Sequence, residues 1–185
     1  MRVRTILLGF GTLGLALAGS TGAWARDSAT ASGRASVTVA EPIAIQTIEA
    51  LQFGVIAVSE SGGGAITVDP DSGSSSFTGS LASACPSASG CSARPALFGV
   101  TGSAGRYYRV DAPASAVAQH DSGAGTPLAV SAITLSGTGS SPDASRRLLD
   151  EGGRDSFRIG GTLSVPAGTQ PGIYRAELAV VVSYD

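Results

Sequence analysis

Few residues in this chain could do chemistry, and their spacing argues against most of it. The sequence holds one histidine, His120, in the run His120-Asp121-Ser122. Three consecutive residues cannot form a nucleophilic triad among themselves, because each partner must approach from a different direction. No nucleophile elbow, phosphate loop or second metal ligand accompanies them. Asp69-x-Asp71-x-Gly73 starts like a calcium loop but lacks the later ligands and the closing Glu, so it reads as a solvated turn. No enzymatic activity, metal or cofactor is expected.

Cys85 and Cys91, in CPSASGC, are the two cysteines. A closely spaced pair in an exported protein reads as a disulfide, closing a small loop and constraining the unfolded chain by about 2 kcal/mol. The spacing is not CxxC, and no second His or Cys pair completes a zinc site.

Export is read from the first residues. Arg2 and Arg4 precede an uncharged apolar run, Ile6–Ala18, and Ala23-Trp24-Ala25 is a small-x-small cleavage site. Residues 1–25 are therefore expected to be a signal peptide, 26–34 a flexible extension and 35–185 the folded domain. The apolar run is shorter than the ~20 residues that span a bilayer, so no transmembrane anchor is expected after cleavage. The destination is periplasm, cell surface or extracellular space. Lysine is absent, the formal net charge is −2, and Arg146-Arg147 is the densest basic point, which argues against nucleic acid.

The elements that would position these residues are strands. Tyr174, Ala176, Leu178, Val180, Val182 and Tyr184 alternate with a largely polar set, after a turn at Gly172. That period of two predicts a closing strand with one face in a core. Ala29, Ala31, Gly33, Ala35, Val37 and Val39 alternate likewise, until Glu41-Pro42 interrupts. Ile66 and Val68 predict a short inward-facing strand. Phe98 and Val100, then Tyr108 and Val110, flank the turn Gly102–Gly105 and predict a hairpin. Leu128, Val130 and Ala132 give way to Ile133 and Leu135 on the opposite parity, the mark of a bulge. Gly137–Gly153 reads as a long connection anchored by Leu148 and Leu149. With no sustained helical period, the fold class is all-β, an immunoglobulin-like, pilin-like Greek-key β-sandwich. A closed barrel is the alternative.

Several short motifs recur in a characteristic order: Leu51-x-Phe53-Gly54, Phe98-x-Val100-Thr101-Gly102, Gly160-Gly161-Thr162-Leu163, and Gly172-x-Tyr174 through Val182-Ser183-Tyr184. Together they resemble an exported proteobacterial family catalogued as domain of unknown function 4402. That family looks related to spore coat protein U and to pilus subunits handled by periplasmic chaperones and outer-membrane ushers. Such subunits typically end in an alternating apolar strand with a Gly near its start and a penultimate Tyr, as here.

The resemblance implies a sandwich that lacks one strand, whose groove is filled first by a chaperone and then by the N-terminal extension of a neighbouring subunit. Its physical logic is strand addition, in which backbone ladders give affinity and alternate side chains fill pockets. Gly172, Tyr174, Ala176, Leu178, Val180, Val182 and Tyr184 would then belong to the groove. Ala29, Ala31, Gly33, Ala35, Val37 and Val39 would be the donor face, or else residues 35–39 are the domain's own first strand. The implied partners are copies of itself or related subunits, with a chaperone and usher. The alternative function is a self-complete secreted sandwich that binds a surface glycan or protein, with Tyr107, beside Arg106 and Arg109, as the contact candidate.

Overall fold

In the computed structural model, alternating apolar residues build strands and no helix among the described residues. Residues 29–85, 91–136 and 145–185 are described; the expected signal, 1–25, and residues 26–28 lie outside them. The first strands are β1 (Ala44–Glu49), β2 (Ile56–Val58), β3 (Gly64–Val68), β4 (Ser75–Gly79), β5 (Leu81–Ser83) and β6 (Ala96–Thr101). Next come β7 (Tyr107–Asp111), β8 (Ala116–His120), β9 (Leu128–Leu135) and β10 (Arg146–Leu148). The last are β11 (Arg154–Val165), β12 (Tyr174–Arg175) and β13 (Val181–Tyr184).

All pairings among the described residues are antiparallel, and the architecture is a β-sandwich. The large sheet runs β1-β6-β11-β9-β8-β12, with β3 beside β11 and β4 beside β3. Facing it are the sheet β10-β7-β13 and the ribbon β2-β5. The long strand β11 organises the whole. Its first half pairs β6 on one edge and its second half pairs β3, while β9 takes the other edge.

The core follows that division. Over the first half of β11, Phe157 and Ile159 pack with Phe98, Val100, Tyr108, Val110 and Leu149. Phe98 and Phe157 are register partners, and their rings stack at 5.4 Å. Over the second half, Leu163 and Val165 pack with Ile66, Leu81, Leu128 and Val130. Each large apolar side chain so buried contributes roughly 1.5–3 kcal/mol.

Ile66 and Val68 face inward as the alternation predicts, at 0% and 1% exposure. The parity switch in β9 is a bulge: Ala132 takes φ 50°, and the register with β11 shifts between Gly160 and Thr162. That one extra residue returns Ile133 to the core side, against both clusters.

Three expectations are corrected. β6 and β7 are not a hairpin. β6 pairs β1 and β11, whereas β7 pairs β10 and β13. Alternating apolar residues suit two strands stacked across a core as well as two strands side by side. The closing stretch is not one strand: β12 joins β8, β13 joins β7, and Ala176–Val180 pairs with no strand among the described residues. Within the expected connection 137–153, Arg146–Leu148 forms a strand on β7, and Leu149 is fully buried while Leu148 is exposed.

The alternation over Ala29–Val39 forms no strand and is exposed throughout, and the first strand begins at Ala44. Residues 29–38 fall in a unit separate from the one that spans Val39–Asp185. Four of the six residues on its alternating face are Ala or Gly, so this stretch buries too little apolar area to hold a strand in place within a single copy.

Candidate functional site

Between the β6 side and the β12 side of the large sheet lies an apolar groove of about 1110 Å³. Its floor is the inward face of that sheet, including Phe98, Val130 and Leu163. From the β6 side it is lined by Leu51–Ile56, and from the β12 side by Gly172–Ala176 and Leu178. Of the residues predicted for a groove, Gly172, Tyr174, Ala176 and Leu178 line it. Val180, Val182 and Tyr184 pack instead against the Phe98–Phe157 core. Only the half of the closing stretch that leaves one sheet for the other borders the groove.

The Leu51-x-Phe53-Gly54 motif is the groove's lip. Leu51 packs on the first core cluster and Phe53 on the second. Gly54 takes φ +79°, and a Cβ there would stand 2.7 Å from the carbonyl oxygen of Cys91. Both backbone conformation and close approach require glycine at this point. Cys85 and Cys91 form the disulfide that the sequence predicts, with Cα atoms 5.7 Å apart.

The opposite wall is fixed by His120. The Ser122 amide donates to its Nδ1 at 3.1 Å, which leaves the ring proton on Nε2, where it faces the Pro171 carbonyl at 3.3 Å. The ring meets Tyr174 edge-on, with centroids 4.9 Å apart. A Cβ on Gly172 would stand 1.9 Å from Nε2, so only glycine lets the wall pass the imidazole. Asp121 does not face the histidine; its carboxylate accepts from Arg175 Nε at 3.0 Å. His120-Asp121-Ser122 is thus a staple that holds β12 to β8.

Tyr107 lies on the outer face of β7 at 46% exposure, with Tyr108 turned fully inward, as their opposite parity requires. The Arg146 guanidinium covers the Tyr107 ring at 3.9 Å from its centroid. Arg146 and Arg109 both donate to the Asp185 carboxylate, Arg109 first and Arg146 next holding it below the usual carboxylate range. Asp69 accepts from the Ser72 amide and hydroxyl and from the Asp71 amide, which builds a tight turn.

A polar cluster that no pattern of alternation in the sequence announces lies between the sheets. The Tyr108 hydroxyl donates to Asp155 at 2.7 Å, and Arg147 Nε donates to the same oxygen at 2.7 Å. Arg147 also reaches the carbonyls of Ser136 and Ser156. Burial pushes the Asp155 carboxyl up, but the bonds from Arg147 and Tyr108 outweigh it and leave the group below its ordinary range. Burial first, then the bond to Asp155, raises the Tyr108 phenol. The signal was Arg147 beside Leu148-Leu149, charge next to anchor.

Tyr184 was foreseen as a groove residue but acts as a pin. Its hydroxyl accepts from the Ser103 amide at 2.7 Å and donates to the Glu41 carbonyl at 2.7 Å. The Glu41 amide in turn donates to Ser103 Oγ at 2.9 Å. The penultimate residue therefore fixes the segment that leads into β1.

These observations define an antiparallel β-sandwich domain with an apolar groove, bordered by a stretch of its own backbone that pairs with no strand among the described residues. The chain belongs to the family described as Domain of unknown function (DUF4402), which matches residues 43–184. That span takes in every strand of the sandwich and ends at Tyr184. No curated protein and no solved structure matches the chain.

Proposed function

We propose that this protein is an exported, non-enzymatic structural subunit of a bacterial surface assembly, pilin-like or coat-like, whose copies associate by β-strand complementation. The observation that carries the reading is the groove: an apolar trough of about 1110 Å³ beside Ala176–Val180, which no strand pairs among the described residues. Unpaired backbone next to apolar pockets is what an added strand needs, since the ladder supplies affinity and alternate side chains fill the pockets.

The proposed occupant is Ala29–Val39 of a second copy. Val37 and Val39 are 87% and 88% exposed, and the family match leaves this stretch out. Fully extended, the segment reaches roughly 35 Å, enough to follow a sheet from end to end. A periplasmic chaperone would shield the groove before assembly, and an outer-membrane usher would exchange it for the donor.

Deleting residues 29–39 tests this. The expected result is a domain with an unchanged Tm that no longer forms multimers, read by calorimetry and size-exclusion chromatography. A deletion that unfolds the monomer would make residues 29–39 an intrinsic strand instead.

A further inference from the structure

The groove's lip takes three backbone bonds from the two segments that flank the disulfide. Ala84, immediately before Cys85, donates its amide to the Val55 carbonyl at 2.9 Å. Arg94, just after Cys91, exchanges two backbone bonds with Gln52, at 2.9 and 2.8 Å. The Cys91 carbonyl packs against Gly54, and Cys91 itself lines the groove. Beyond the lip, β2 pairs β5 over Ile56–Val58. The lip is thus gripped from the β5 side and from the β6 side, and Cys85–Cys91 sets the spacing of the two grips.

We propose that the Cys85–Cys91 disulfide is a redox gate on this groove. Oxidised, it fixes the Leu51–Val55 lip at the position that leaves the groove shaped for an added strand. Reduced, the grips at Ala84 and Arg94 separate and the lip loosens, while the two core clusters persist. They persist because β6, β9 and β11, which carry most of both clusters, are held to one another by their own backbone ladders. Reduction adds two electrons and two protons to the S–S bond to give two thiols; a dithiol reductant supplies both and closes to its own cyclic disulfide. The gate deepens the strand-complementation reading, because it would make the groove competent only after oxidation in an exporting compartment.

Amide hydrogen exchange of the oxidised protein, and of the same protein reduced with dithiothreitol, reads the gate without any occupant. The expected result is at least a tenfold loss of protection at Gln52 and Arg94, with β9 and β11 amides unchanged. Equal protection at the lip in both states would overturn the proposal, and so would a uniform loss across β9 and β11. The Cys85→Ser/Cys91→Ser variant should match the reduced protein; should it fail to fold, in situ reduction of folded protein still decides. A synthetic peptide of residues 29–39 gives the second reading. It should bind the oxidised protein about tenfold more tightly than the reduced one. Loosening of the lip on reduction, with no peptide binding in either state, would refute the strand donor and leave the gate standing.

Discussion

Replacing Asp155 with Ala is expected to cost about 3 kcal/mol, or roughly 10 °C in Tm. Asp155 accepts from both Tyr108 and Arg147, and its side chain is 21% exposed against 19% for Arg147. Removing it strands a cation and a buried phenol between the sheets, and a broken partly buried pair costs more than the pair was worth. Asp155→Asn keeps an acceptor and should recover about half. A loss under about 0.5 kcal/mol would mean that water already carries these groups.

The same cluster sets a pH profile. Asp155 is held below its unfolded value, so its contribution is complete above about pH 4 and is lost as pH falls through the lower folded value. Tyr108 is raised, so its contribution is complete below about pH 10 and is lost as pH climbs further. Denaturant midpoints measured across pH should fall at both ends; Asp155→Ala should flatten the acid limb and leave much of the alkaline one, because burial, the first cause of the Tyr108 rise, remains.

The second large effect falls on assembly and spares the monomer. Val37→Asp/Val39→Asp places two carboxylates where the isolated chain leaves side chains 87% and 88% exposed, so folding should change by less than about 0.5 kcal/mol. Seated in an apolar groove, each unpaired charge costs several kcal/mol. Association should weaken by at least about a thousandfold, enough to remove multimers. The effect concentrates here because Val37 and Val39 are the largest side chains of the proposed donor face, which is otherwise built of Ala and Gly. Sedimentation of the variant against the parent reads both halves: an unchanged monomer and absent multimers. Multimers of undiminished stability would place the contact elsewhere.

Much of this was legible residue by residue. Tyr107 and Tyr108 reveal their faces by parity alone, because a strand turns neighbours to opposite sides. The Ala132–Ile133 switch announces the bulge that β11 then accommodates. The cysteine spacing gives the disulfide. Pairing partners were not legible. Period two says that a residue faces a core without saying which strand lies alongside, and so Phe98 and Tyr108 looked like hairpin neighbours when they meet across the sandwich. The closing stretch misled for a related reason. Its alternation runs unbroken from Tyr174 to Tyr184 while its backbone changes sheets at Ala176–Val180. In the Arg147–Asp155–Tyr108 cluster, Arg147 and Asp155 stand only eight residues apart on consecutive strands, but the pairing of Arg147 with Tyr108 on β7 was not legible.

Strand complementation is tested most directly on the native assembly. Envelope material from the source cell, run on a denaturing gel without heating and after boiling, compares the two states in one experiment. Separating a complemented pair requires drawing a whole strand from a core, which makes such polymers kinetically stable. Strand complementation predicts a ladder of multiples in the unheated lane that collapses to monomer on boiling. A single monomer band in both lanes would contradict it, and would leave the groove to serve some other ligand of a self-complete sandwich.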